Sequence, residues 1–468
     1  MVQRLSRRHL LGRMVLGGVG TVLLSSGWVA CAPAPSATPT PAEKAPAPGK
    51  PGEAPTPTPV PVKQVQAAPG QVLIRVMDRA DPRYQKFVEE WVRLFEAAHP
   101  KIKVQPEPIP ADWEQKLTAA MAAGAAPDVA AVFGHWFRTY QQKGQLRELT
   151  DYVQRHMKPE EVNDFFKGQW EGMSWQGKQL ALPQYINVNV LYYNKNAVAE
   201  AGAKIPSNDY NHDEFLQFII KLHKRSGDRV ERWGNYTPWI AAFIRIISYI
   251  WGLGGQINDP NDITKFTFTK PETIKAFQWV HDIPWKHKVA PVTSGDMGGL
   301  SGSDAFWAGK LSTLFDGTHL FALIPEGLPF EFDVLPPPKG PGGRGQRSSM
   351  DGYFIYKGSK HPDEAWQAIY HLTTPDIMRL RAKMAGLPPA RKSPISDWVA
   401  AYPKYNLKSA AADTMDEARP DPRSLWNKAA ETWNALNPIM EELFILNKIS
   451  VEEAMQKMQA AAEKVQRG

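Results

Sequence analysis

The stretch Val72–Val104, VLIRVMDRADPRYQKFVEEWVRLFEAAHPKIKV, changes period partway along, and that change decides the fold. Val72–Met77 is a short apolar run ended by Asp78, suited to a buried strand. Tyr84, Phe87, Val88, Trp91, Phe95 and Ala98 then recur at helical spacing as one apolar stripe, which Pro100 stops. Ile102-Lys103-Val104 alternates as a second strand, Trp113–Ala123 predicts a second helix, and Asp128–Phe133 (DVAAVF) a third strand. Strand, helix, strand, helix, strand at this spacing predicts an α/β chain built on a parallel, helix-covered sheet.

Working outward toward the start, the composition changes abruptly. Ala32–Pro69 is Pro, Ala, Thr and Gly with almost no large apolar side chain, so it is expected to stay disordered and extended. At the polyproline rise of 3.1 Å per residue it would reach roughly 100 Å. Before it, Met1–Ala30 reads as a signal peptide: basic at first, apolar from Met14 to Leu24, then small residues. Ser6-Arg7-Arg8-His9-Leu10-Leu11 resembles a twin-arginine export signal, and Val29-Ala30-Cys31 resembles the end of a lipobox. The expectation is a chain exported and anchored to the bacterial cell membrane through a lipidated Cys31, with residues 31–70 as tether.

Toward the other end, Leu180–Leu182 and Val188–Tyr193 are apolar strand candidates around Pro183. His212–Lys224 predicts a helix with Asn211 as cap and Asp213 and Glu214 in its first turn. Trp239–Trp251 is strongly apolar but too short to span a membrane, and it holds Arg245, so it predicts a buried helix. Pro271–Ile283 and Pro362–Leu372 read as helices with Pro at the first position, and Val451, Met455, Met458, Ala462 and Val465 stripe a last one. Gly340-Pro341-Gly342-Gly343-Arg344-Gly345 formally fits a phosphate-binding G-x-G-x-x-G, but it follows three prolines and opens no amphipathic helix. It is expected to be a flexible loop.

Composition narrows the function classes. Hydrophobic residues make up 43% and charged residues 22%, ordinary for a globular protein. Of the formal charge of +7, four positive charges (Arg4, Arg7, Arg8, Arg13) belong to the leader, and there is no arginine stripe interleaved with aromatics. Nucleic acid is therefore not an expected partner. The single cysteine excludes an intramolecular disulfide and a thiolate metal cluster. No cofactor, metal or nucleotide is expected. The 16 tryptophans exceed what core packing commonly uses, which fits a surface that stacks on sugar faces.

Seven ordered segments resemble the family-1 extracellular solute-binding proteins, the group that includes maltodextrin-binding proteins. They are Phe95–Val104 (FEAAHPKIKV), Ala123–Val129 (AGAAPDV), Gly144–Leu149 (GQLREL), Leu191–Lys195 (LYYNK), Phe306–Gly317 (FWAGKLSTLFDG), Gly358–Trp366 (GSKHPDEAW) and Gly386–Pro388 (GLP). The resemblance implies a periplasmic-binding-protein-like fold of type II, two α/β lobes with a hinge of crossing strands. Lobe one would take 71–183 and 333–375, lobe two 184–332 and 376–468. It also implies a monomeric, non-catalytic capture subunit of an ABC importer, delivering a sugar or oligosaccharide to the transmembrane permease subunits.

Aromatic rings stack on sugar C–H faces while carboxylates and amides bond the hydroxyls. Asp112-Trp113 opens the second helix beside the implied cleft, with a helix cap and core packing as the rival roles. Trp136 follows the third strand, where α/β sheets place ligands. Tyr185 lies just past the first crossover and Trp239 in the second lobe, against hinge and core packing. Asp316 and His319 flank Gly317, and Asp351 and Tyr353 return to the cleft after the second crossover. Two rivals stand beside this reading: the same fold binding glycerol phosphate or a phosphodiester, which needs Arg or Lys in the cleft, and a secreted glycoside hydrolase, which needs two carboxylates flanking the scissile bond.

Overall fold

The computed structural model describes residues 64–79, 81–109, 113–134, 136–237 and 243–467, which fall within one compact unit. The leader, Cys31 and most of the Pro-rich stretch lie outside the described residues.

The opening stretch folds as its periods dictate: β1 (Val72–Arg79), α1 (Pro82–Ala98), β2 (Ile102–Ile109), α2 (Trp113–Ala122) and β3 (Val129–Phe133). Asp81 caps α1, accepting from the Tyr84 amide at 3.0 Å, and Pro82 fills a first-turn position that has no amide partner to lose. Tyr84, Phe87, Val88, Trp91 and Phe95 are buried along one face, whereas Ala98 in the last turn is exposed. Each large apolar side chain so buried contributes about 1.5–3 kcal/mol. The chain continues through β4 (Leu182–Tyr185), β5 (Asn189–Asn194), α3 (His212–Leu222), α4 (Phe243–Gly252) and α5 (Pro271–Trp285). Then come β6 (Thr313–Gly317), β7 (Phe332–Leu335), β8 (Asp351–Ile355), α6 (Pro362–Leu372), α7 (Pro375–Ala385), α8 (Ala429–Phe444) and α9 (Val451–Arg467).

Two sheets organise these elements. The first has the order β2-β1-β3-β8-β4, with β1 parallel to β2 and β3 as expected, and β8 added antiparallel between β3 and β4. The second is β6-β5-β7, antiparallel throughout. In β5, Leu191 and Tyr193 enter one apolar cluster and Val190 and Tyr192 another, so strand alternation puts a core on each face. The first core holds α3, α4, α5, α8 and α9 against the second sheet, and it contains four of the five residues expected to stripe the last helix. No described helix is long and apolar enough to cross a membrane.

Two boundaries differ from the expected division. Phe332–Leu335, expected to lie largely in lobe one from residue 333, pairs with β5 of the second sheet. α7, expected in lobe two from residue 376, sends Ile377, Met378 and Ala385 into the core of the first sheet beside α1. The boundary at 333 came from the resemblance and carried no pairing partner, and α7 follows α6 after a two-residue break, so it docks where α6 docks.

The chain passes between the sheets at 186–188, 336–350 and 386–391. These passages hold each other: Ile186 donates its amide to Pro388 O at 3.1 Å, Ser349 to Asn187 O at 3.0 Å, and Val188 bridges Ser348. The Gly-rich motif lies on the second passage and is not a free loop. A Cβ at Gly342 would stand 1.9 Å from Trp251 O, and one at Gly345, whose φ is +58°, 2.1 Å from Ser248 O. Glycine is required there because the backbone presses against the end of α4.

Candidate functional site

The carboxyl ends of strands from both sheets converge beside the first passage. β1 ends at Arg79 and β3 at Phe133, while β8 begins at Asp351, paired with both Phe133 and Tyr185. From the other sheet, Asp316 and Gly317 at the end of β6 pair with Val190 and Asn189. Open ends of parallel strands are where α/β sheets leave backbone groups and side chains free for ligands.

On the first-sheet side, Arg79 donates to the Tyr185 hydroxyl at 2.6 Å and lies 4.4 Å from the Phe133 ring centroid. The Tyr185 and Ser349 hydroxyls turn onto the Asp351 carboxylate. Burial raises the pKa of Asp351 against those donors and the charges of Arg79 and Arg347. Trp136 opens a short helix directly after β3 and is half-buried, its ring stacked 6.0 Å from Tyr140.

The second-sheet side answers with Asp316, 8% exposed, which accepts from Arg245 Nε at 2.5 Å and from the Gly317 amide at 2.6 Å. Arg245 is delivered by α4, whose Ser248, one turn on, accepts from Asn189 Nδ2 at 3.0 Å. His319 is half-buried in the turn after β6, its amide donating to Asn187 Oδ1 at 3.0 Å. Burial holds its imidazole down to about 4; Asp316 works against that, and Arg245, Arg79 and Arg347 work with it. These shared fields put the three arginines, Asp316 and His319 in one neighbourhood.

Arg347, 1% exposed, lies on the second passage and donates to Asp421 Oδ2 at 3.0 Å. Arg423 donates to the same oxygen at 3.0 Å. Burial favours the acid form of Asp421, yet Arg423 and Arg347 hold it well below the usual carboxylate range. Burial brings Arg347 itself down to about 10.

Of the expected site residues, Trp136 opens the short helix that follows β3, and Tyr185, Asp316, His319 and Asp351 meet here. Tyr353 does not. Two residues further along β8, it has no exposure and is held in the core of the first sheet, donating to Asp78 Oδ2 at 2.6 Å within a network that includes Tyr84 at 2.8 Å. Arg381 closes that network from α7, donating to the Tyr353 hydroxyl at 3.3 Å. Trp113 is the first residue of α2, and Asp112 and Trp239 lie outside the described residues. Arg79, Arg245 and Arg347 were not foreseen as site residues. Arg245 did leave a signal, a lone charge inside an apolar helix; Arg79 and Arg347 are read only once the sheets are paired. Among the described residues no cluster of three or more His, Cys, Asp or Glu is placed to hold a metal.

Residues 78–379 match the family described as bacterial extracellular solute-binding protein. A putative binding protein of Brucella abortus is 24% identical over 371 residues, spanning 75% of this chain and 84% of its own. An arabinooligosaccharide-binding protein of Halalkalibacterium halodurans is 22% identical over 215 residues, 45% of each chain. Among solved structures, an ABC substrate-binding protein of Listeria monocytogenes in complex with cycloalternan superposes with a TM-score of 0.74 at 22% identity. That superposition covers 84% of this chain and 99% of the other. The shared fold is the two-lobed, hinged α/β arrangement that the sequence motifs implied.

Proposed function

Because the chain belongs to the bacterial extracellular solute-binding protein family, we propose that it captures a sugar or oligosaccharide between its lobes and delivers it to an ABC permease. The observation that carries this reading is the convergence of Arg79, Tyr185 and Asp351 from one sheet with Arg245, Asp316 and His319 from the other. Such a ring of donors and acceptors suits a hydroxyl-rich guest, and Trp136 and Phe133 offer apolar faces nearby. The relatives whose names state a ligand, arabinooligosaccharide and cycloalternan, point the same way.

The lobes follow the sheets in this reading. One comprises β1–β4, β8, α6 and α7, the other β5–β7 with α3–α5, α8 and α9. A guest bonded to both halves favours the shut form because only that form offers all contacts at once. The protein alters no bond of its guest; it works as a monomer, without cofactor. Asp112, Trp113 and Trp239 complete the contact set, and the lipid on Cys31 holds the protein at the outer face of the membrane within reach of its permease.

A thermal-shift series across neutral and acidic mono-, di- and oligosaccharides tests the reading. A true ligand at a hundredfold its Kd stabilises by about 2.7 kcal/mol, and chromatography of the incubated sugar finds only the starting compound. Products, or no shift with any saccharide, would end the proposal. Loss of radiolabelled acyl chain in Cys31→Ser tests the anchor separately.

A further inference from the structure

The arginines around the passages are not fully used. Arg347 Nε and Nη1 and Arg245 Nη1 are buried without a hydrogen-bond partner, as is His319 Nδ1. Arg347 is 1% and Arg245 8% exposed, so water at the surface does not serve them. Buried guanidinium N–H groups without an acceptor are uncommon in folded proteins and mark a place for an ordered water, an ion or a ligand. The charges point to which. Arg347 and Arg423 share the single carboxylate of Asp421, Arg245 has Asp316, and Arg79 has Asp351 through Tyr185. Asp78 beside Arg79 is itself faced by Arg381, so among these described residues five cations meet four anions, and a buried charge left over demands a counter-charge. Water satisfies the open N–H groups but not the surplus charge.

We propose that the guest is an acidic saccharide whose single carboxylate, that of a uronate unit, sits against Arg347 and Arg245 beside His319. This rests on the sugar-capture reading and names the class of sugar. One surplus charge suits a singly charged oxyanion, whereas a phosphomonoester would bring a second negative charge with no cation to meet it. A phosphodiester carries the same single charge and is separated by experiment.

Arg347→Gln is the informative variant, because Arg423 still pairs Asp421 and no buried carboxylate is stranded. Titration calorimetry would compare galacturonate, the matched neutral galactose and glycerophosphoglycerol on the full mature chain. We expect galacturonate to bind at least tenfold tighter than the neutral sugar, and Arg347→Gln to erase most of that preference, about ten- to hundredfold. Should that variant fail to fold, Arg245→Lys, which keeps a charge for Asp316 but withdraws Nη1, must reduce the same preference. Neutral sugar bound as well as galacturonate overturns the inference and leaves sugar capture standing. Binding of glycerophosphoglycerol alone overturns the uronate assignment and, with it, the saccharide reading. No binding by any saccharide across the thermal-shift series overturns both.

Discussion

Asp421 has no exposure and lies between two guanidinium groups, so its replacement is costly in a specific way. Asp421→Asn strands two buried cations, and we expect a loss of roughly 3–5 kcal/mol in urea unfolding. Arg347→Gln in the same arrangement should cost far less, because one cation and one anion remain. Tyr353 gives the opposite kind of test. Its hydroxyl bonds Asp78 and Tyr84 in the core of the first sheet, so Tyr353→Phe should lower stability by about 1–2 kcal/mol and leave ligand affinity within twofold. A tenfold loss of affinity would return Tyr353 to the cleft. At this scale the sequence was only partly legible. Residue type and place in the chain pointed to Asp316 and Tyr185 near the carboxyl ends of β6 and β4, and to Asp351 as the residue that opens β8 after the second passage. Tyr353 sits two residues beyond Asp351, close enough in sequence to seem part of the same site, yet its partners come from β1, α1 and α7. The arginines were obscure for the reciprocal reason: their acceptors are distant in the chain, 74 positions for Arg347 and 71 for Arg245.

Elements whose ends carry local chemistry were read well. Asn211 accepts from the amides of Asp213 and Glu214, and Glu214 returns the bond to the Asn211 amide, as the capping pattern predicts. Pro271 and Pro362 stand in the first turns of their helices for the same local reason. The Gly340–Gly345 turn was legible only as an exclusion; its real constraint is the approach of α4. Gly345→Ala therefore needs both a strained φ and displacement of the Ser248 carbonyl, and a loss of at least about 2 kcal/mol is expected by chemical denaturation. An unchanged midpoint would mean that the passage yields easily. His212, the first residue of α3, packs edge-on to Trp279 at 5.1 Å and near Tyr249, with the charge of Asp213 acting on it. Burial holds it down to about 4. Between that value and the unfolded 6.5 the unfolded chain binds more protons, so stability is full above about pH 6.5 and falls as pH drops toward 4. His319 and His371, also held down to about 4, add to the same slope. His212→Gln should flatten part of that loss in urea melts between pH 7 and 4, and a slope equal to the wild type's would exclude His212 as a contributor.

At the scale of the whole molecule, the resemblance divided the chain into two lobes, and strand pairing moved β7 from the first to the second sheet. That division sets up a contact between the halves. Arg83, in the first turn of α1, donates to the carbonyls of Ala322 at 2.9 Å and Ile324 at 3.3 Å, in the segment that follows β6. The guanidinium is in an exposed setting, so the pair of bonds is worth about 1 kcal/mol, a fivefold bias in an open–shut equilibrium. Removing it acts on the equilibrium and not on the ligand's own contacts, since Arg83 touches neither Asp316 nor Asp351 among the described contacts. Arg83→Ala should therefore widen the unliganded molecule in small-angle scattering, weaken ligand binding by no more than about fivefold, and leave the saturated complex as compact as the wild type. The added cost should be felt on binding because the shut form must now be reached from a population already shifted toward open. A variant whose free form scatters like the wild type's while its affinity falls tenfold would place Arg83 in the ligand's contact set instead, and the bias toward closure would then rest on the passages alone.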